Sequence, residues 1–343
     1  AEQAETRTAT LGLNQAIDWA DKRGARTEVA GAERDAARAE YAAVRQQLAG
    51  ELLAALGRYH TATDIQRLTQ QRLALMQRFL DLAEQRRRAG DVNQVELDLA
   101  RLAHAQAALQ SSQSAADLAE AQQALAAITG EPRTDWPALP GELPALGDVD
   151  VDTLLTHLPV LRAQQARVAA ARATVTLRNR ERRPAPTDGM RAGQERAFRD
   201  GADDDYGVAG LTLNIPLYVR NSFRAEVEAA GAELTQADQS LQDSYRRARA
   251  QLLSAADRYR LSRGAWEGWL RTGQASLGSQ VELLERIWRA GEMSTADYLV
   301  QLNQTLETRA TALEAQGRLW SAWADWLVAS GQADAWLGQS DAR

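Results

Sequence analysis

Two stretches, TLGLNQAIDWADKRGARTEVAGAE at residues 10–33 and GLTLNIPLYVRNSFRAEVEAAGAE at residues 210–233, are copies of one another. Without a gap, Leu11, Leu13 and Asn14 fall on Leu211, Leu213 and Asn214, and the AGAE of residues 30–33 falls on that of residues 230–233. The register continues to Arg58 and Tyr59, which match Arg258 and Tyr259. One residue of slip then aligns Arg88, Ala89 and Gly90 with Arg289, Ala290 and Gly291, and Gly130 with Gly331. A nearly constant offset over that length is an internal duplication, and a duplication decides how the rest of the chain is read.

Each copy begins with an alternating segment. Over residues 8–19, Ala9, Leu11, Leu13, Ile17 and Trp19 share one parity, and Thr8, Thr10, Gly12, Asn14, Ala16 and Asp18 share the other. Residues 208–218 alternate in the same phase, with Ala209, Leu211, Leu213, Ile215 and Leu217 set against Gly210, Thr212, Asn214 and Tyr218. Period two with one apolar face predicts a strand that is half buried or faces lipid.

A long helix is expected next. Residues 25–88 contain no proline, and their apolar positions Ile65, Leu68, Leu75, Phe79 and Leu82 fall in a heptad-like pattern that suits side-by-side helix packing. At 1.5 Å per residue such a helix is about 95 Å long, so it must lie along other long helices. Gly90 and Gly291, each after an Arg-rich end, predict sharp turns in which the glycine takes a left-handed conformation. Asn93 with Glu96 and Ser294 with Asp297 have capping-box spacing and predict returning helices that end at Gly130 and Gly331.

The organisation expected is therefore a first repeat over residues 1–130, a Pro-rich connector over 131–150, a second repeat over 151–331 and a tail over 332–343. Within the second repeat a short helix is expected at 151–158 and a longer one at 159–181. A weaker strand candidate follows at 187–197. The acidic stretch RDGADDD at 199–205 is expected to be a solvated hairpin loop before the strong strand at 206–218. The fold class predicted is mainly α, with long coiled-coil-like hairpins and a few β-strands.

Composition narrows the function. The 343 residues carry a net charge of −6, which argues against a nucleic-acid surface. There is no cysteine, so disulfides and thiolate sites are excluded. The three histidines sit in separate segments without a paired ligand, and no phosphate loop, dinucleotide fingerprint or nucleophile elbow occurs, so neither a metal site, a cofactor nor an enzyme is expected. No run of eighteen apolar residues could form a transmembrane helix; a β-barrel would leave no such run. Among the nine tryptophans, Trp320, Trp323 and Trp326 form a stripe read as helix packing, with a membrane-interface belt as the alternative.

The strand ending in Ile215, Pro216 and Leu217 and running into an Ala-rich helix resembles the TolC-like outer membrane efflux proteins. So do the paired turns RRRAGDVNQVELDLA and RIWRAGEMSTADYLV. The segment LGLNQAIDWADKRGAR resembles the heavy-metal, cobalt-zinc-cadmium branch of that family. The resemblance implies a homotrimer in the outer membrane extending into the periplasm, with a β-barrel above a helical tunnel. It implies a passive duct for metal cations or small toxic compounds, partnered by a periplasmic adaptor (membrane fusion) protein and an inner membrane RND transporter. Leu11, Leu13, Leu211, Leu213, Ile215 and Leu217 would then face outer membrane lipid, and Asn14, Thr212 and Asn214 the lumen. Arg87, Arg88, Gly90, Arg289 and Gly291 would form adaptor-docking tip turns, and Glu96, Asp297, Asp91 and Glu292 a pore constriction. Where the family often has a further Asp, this chain has Val300. Relative to the family the chain reads as truncated at its N-terminus, with three strands where four are expected. The competing expectation is a periplasmic coiled-coil adaptor or scaffold without a pore.

Overall fold

The computed structural model describes residues 5–90, 92–133, 135–199, 202–217 and 222–340. Their order is β1 (Glu5–Ala16), α1 (Lys22–Ala89), α2 (Gln94–Thr129), α3 (Val151–His157), α4 (Pro159–Glu181), β2 (Thr187–Arg199), β3 (Ala202–Asn214), α5 (Arg224–Arg289), α6 (Thr295–Ser330) and α7 (Ala333–Ser340). The duplication is visible in the lengths: α1 has 68 residues and α5 has 66, while α2 and α6 have 36 each. The contacts gather into two compact units, Ala1–Tyr41 with Val160–Tyr245, and Ala42–Pro159 with Arg246–Arg343. Each unit draws on both repeats, and α1 and α5 contribute to both.

The first unit is built on an antiparallel sheet of order β1-β2-β3. The register pairs Leu13 with Met190 and Met190 with Leu211, and pairs Asn14 with Gly189 and Gly189 with Thr212. The weaker strand candidate at 187–197 is the central strand β2, bonded along both edges. Two other expectations are corrected here. The acidic stretch is largely strand: Arg199 pairs with Ala202, and Asp205 accepts two hydrogen bonds from the Arg196 guanidinium at 2.7 and 2.9 Å, which neutralises a charge that would otherwise oppose pairing. Residues 200 and 201, at its centre, lie outside the described residues. Both strong strands stop earlier than expected. β3 ends at Asn214 because Pro216 has no N–H to give to a ladder, and Tyr218 lies outside the described residues.

β1 ends at Ala16 because Asp18 turns the chain into α1. Its carboxylate accepts from the backbone N–H of Lys22 at 2.7 Å and of Arg23 at 2.6 Å, and those bonds hold its pKa below the usual carboxylate range. The junction is tied on its other side. The Ile17 N–H donates to the Pro186 carbonyl at 2.8 Å, the Trp19 indole to that of Pro184, and Arg180 to Asp21.

The second unit has an aromatic and aliphatic core where α1, α2, α5 and α6 meet: Leu68, Met76, Phe79, Leu97, Leu284, Trp288, Tyr298 and Leu302 are all buried. Trp320, Trp323 and Trp326 are buried too, in keeping with helix packing. The expected tail contains α7, where Ala333 is buried and Trp336 packs edge-on to Trp320 and Trp323. The Pro-rich connector is strapped to helices. Tyr259 donates to the Pro144 carbonyl at 2.6 Å, Arg263 to that of Leu143 at 3.3 Å, Arg260 to that of Gly147 at 3.2 Å, and His60 Nε2 lies 2.8 Å from the Pro137 carbonyl oxygen.

Candidate functional site

Two regions carry the candidate residues, one in each unit. In the sheet, odd-numbered β1 and β3 residues share a face with even-numbered β2 residues. Leu11, Leu13, Met190, Leu211 and Leu213 are all on it and all exposed, Leu11 by 87% and Leu211 by 84%. Exposure on that scale in a contiguous patch marks a surface made to be covered. Ile215 and Leu217 are exposed as well, but beyond the end of β3. The opposite face is polar. There Asn14 and Thr212 lean over Gly189, where any Cβ would collide with their side-chain oxygens. The two faces therefore separate as the alternation indicates, and Asn214 lies with Thr212 on the polar one.

The other region is the pair of turns. Gly90 has φ 86° and Gly291 φ 78°, the left-handed region in which a β-carbon is strained. After each turn the cap has formed. Asn93 accepts from the Glu96 N–H at 2.9 Å and its amide donates to the Glu96 carboxylate at 3.1 Å. Ser294 accepts from the Asp297 N–H at 3.1 Å and donates its hydroxyl proton to the Asp297 carboxylate at 2.6 Å. Glu96 and Asp297 thus hold equivalent places in the two copies, each engaged with its own cap. Glu292 is exposed, and Asp91 lies outside the described residues. Arg87, Arg88 and Arg289 are exposed around the turns, with Arg88 3.7 Å from Glu84 and Arg289 paired to Glu285.

Beneath the turns lies a feature that alternation does not reveal. Trp288 and Tyr298 stack with ring centroids 4.9 Å apart, Phe79 packs 5.0 Å from Trp288, and the Arg86 guanidinium sits 5.1 Å over the indole. Burial pushes the Tyr298 hydroxyl up to about 12. Deeper along the hairpins, Arg72 is 7% exposed and donates to Gln110 of α2 at 2.6 Å and to Asn303 of α6 at 2.8 Å. Burial lowers the pKa of its guanidinium, and the nearby Glu307 opposes that shift. An arginine inside an otherwise apolar heptad stripe was the available sequence signal for this polar layer.

The sheet thus has one apolar and one polar face, and its strands lead into duplicated long hairpins. Residues 1–131 match the family model described as Outer membrane efflux protein. Over 220 residues the chain is 26% identical to the cobalt-zinc-cadmium resistance protein CzcC of Cupriavidus metallidurans, a stretch covering 63% of this chain and 52% of that protein. The chain thus spans about half the length of this curated relative. Its fold is that of the CmeC outer membrane channel of Campylobacter jejuni (TM-score 0.77, 15% identity, 99% of this chain and 80% of that one). It also matches the outer membrane protein VceC of Vibrio cholerae (TM-score 0.75, 19% identity, 95% and 80%). By this match residues 1–131 are similar to outer membrane efflux proteins, and the fold of the chain is that of solved outer membrane channels.

Proposed function

We propose that the chain is one subunit of a homotrimeric outer membrane duct that gives metal cations or small toxic compounds a passive path out of the periplasm. A periplasmic adaptor engages the turns at Gly90 and Gly291, an inner membrane RND transporter supplies the energy, and the chain itself catalyses nothing. The observation that carries this reading is the register of the sheet. One face presents Leu11, Leu13, Met190, Leu211 and Leu213 to solvent, and the other presents Asn14, Thr212 and Asn214. Among the described residues the outer edges of β1 and β3 have no strand partner. In lipid each unpaired backbone group costs several kcal/mol, so such a sheet is stable there only when further strands close it into a barrel. The heavy-metal cargo is favoured by the likeness to a protein named for cobalt, zinc and cadmium resistance.

The test is direct. Protein extracted in detergent from outer membrane fractions is expected to be trimeric and to conduct ions in planar bilayers. Recovery as a soluble periplasmic monomer would favour the adaptor or scaffold instead.

A further inference from the structure

The polar face of the sheet carries one cation in an unusual setting. On that face Arg191 of β2 has Gly189 and Gly193 as its neighbours along the strand. Its cross-strand neighbours are Gly12 of β1 and Gly210 of β3. All four adjacent side-chain positions are therefore glycine. A Cβ at Gly210 would lie 2.9 Å from Arg191 Nε and 3.4 Å from its Cγ, so the side chain extends across β3 in the space that glycine leaves. On the other side, a Cβ at Gly12 would be 3.9 Å from the Arg191 Cβ. Among the described residues no carboxylate pairs with Arg191, and its side chain is exposed. On the same face Asp204 of β3 lies opposite Ala197, six residues along, and the nearer acid, Glu195, is four residues along β2. At about 3.3 Å per residue that is roughly 13 Å, beyond the Debye length of about 10 Å at 0.1 M salt. The other charges of β2 near it, Asp188 and Arg196, belong to the opposite face, where Arg196 is paired with Asp205.

We propose that Arg191 sets the charge selectivity of the barrel section, attracting anions and opposing cations at its level in the lumen. The proposal rests on the duct reading, which turns the polar face inward and multiplies Arg191 by threefold symmetry. Small neighbours make the charge effective: with no side chain standing beside it, the guanidinium is neither shielded nor bonded away from the passing solution. The barrel would then act in the opposite sense to acidic groups at the turns, so that the duct carries two rings of opposite sign.

The experiment is the reversal potential of the purified protein in planar bilayers under a potassium chloride gradient, with Arg191→Gln, Arg191→Glu and Arg191→Lys. At about 0.1 M salt the cation-to-anion permeability ratio is expected to rise about twofold in R191Q and about fourfold in R191E, because reversing a charge changes the potential twice as much as removing it. R191K should keep the wild-type ratio, and the differences should shrink at about 1 M salt, where the Debye length is about 3 Å. Conducting channels with the same ratio in all four proteins would overturn the role of Arg191 while leaving the duct intact. Absence of conductance in the wild-type protein would overturn the duct reading, and this proposal with it. Conductance lost only in R191Q and R191E but kept in R191K would assign Arg191 to barrel assembly and reject selectivity.

Discussion

Gly57 of α1 lies directly against Trp320 of α6, so close that a β-carbon on Gly57 would stand 2.9 Å from the Trp320 Cβ. Gly50 against Val328 and Gly317 against Thr61 repeat the arrangement along the same pair of helices. The Trp320 Cβ is fixed to the backbone and cannot swing aside, so Gly57→Ala must push the helices apart. Overpacking costs about 1–3 kcal/mol, while replacing glycine in a helix gains about 0.5–1 kcal/mol; the loss wins. Gly31 has nothing within 4 Å of the same position, so Gly31→Ala is expected to gain that 0.5–1 kcal/mol, or about that. Denaturant midpoints of the two variants should move in opposite directions from wild type. A gain in stability for Gly57→Ala would show that the helix seam is not close-packed.

The turn glycines make a different prediction, because Gly90 and Gly291 also have open space around them but sit at positive φ. A β-branched residue there is strained by roughly 1–2 kcal/mol whatever the room. The Gly90→Val, Gly291→Val double variant should assemble as a trimer, since the core beneath the turns is untouched, yet lose efflux because the turns no longer present the same surface to an adaptor. Metal tolerance of cells carrying the variant, measured beside trimer abundance in the membrane, checks this. Wild-type tolerance would remove the turns from the docking surface.

The duplicated hairpins were legible because their signals are local: a proline-free stretch, a glycine at each reversal, and Asn93 and Ser294 spaced three residues ahead of Glu96 and Asp297. β2 was hard to read for a physical reason. Its face alternates Gly189, Arg191 and Gly193, residues with little strand preference, and its pairing depends on β1 and β3 lying on either side. The end of β1 is masked in the sequence because Asp18 continues the alternation while serving as a helix cap. The heptad period marks Arg72 as out of place but not its partners Gln110 and Asn303, and the Trp288–Tyr298 stack forms only once the turn brings two helices together.

The register of the sheet sets up a paired comparison. Leu213 and Asn214 are adjacent yet point to opposite faces, Leu213 opposite Asp188 and Asn214 opposite Thr187. A charge on the lipid side of a barrel costs about 2–4 kcal/mol at the bilayer midplane, and a lumen site tolerates it. Leu213→Arg should reduce the folded trimer recovered from membranes far more than Asn214→Arg. Equal recovery of both would sink the barrel assignment.

Tyr259 and Tyr298 make stability depend on pH at the alkaline end. Burial raises both hydroxyls to about 12, against about 10 in an unfolded chain. Between those values the folded chain keeps protons that the unfolded chain releases. The contribution is therefore complete below about pH 10 and is lost as pH rises through about 12. Tyr259 also loses its bond to the Pro144 carbonyl on ionising, which frees the connector. Tyr259→Phe should flatten part of the alkaline fall in unfolding midpoint. An unchanged profile would mean that the connector strap does not sense this hydroxyl.

The acidic residues after the turns pose the sharpest choice between two roles. Glu96 and Asp297 each sit at the third helical position after a cap and are bonded to it, and a carboxylate there also suits the positive end of the helix dipole. Capping alone would account for both. Their equivalent places in the two copies also mean that a trimer would carry six such carboxylates, and rings of carboxylates draw cations and repel anions. The two roles separate under neutralisation. Glu96→Gln keeps an amide that can still reach Asn93, and Asp297→Asn keeps an oxygen for Ser294, so helix stability should fall by no more than about 1 kcal/mol at each site. Cation selectivity of the double variant in planar bilayers, in contrast, should drop clearly at about 0.1 M salt and much less at about 1 M, as screening tightens from about 10 Å to about 3 Å. Selectivity unchanged at both concentrations, with the channel still conducting, would leave Glu96 and Asp297 as helix caps and nothing more.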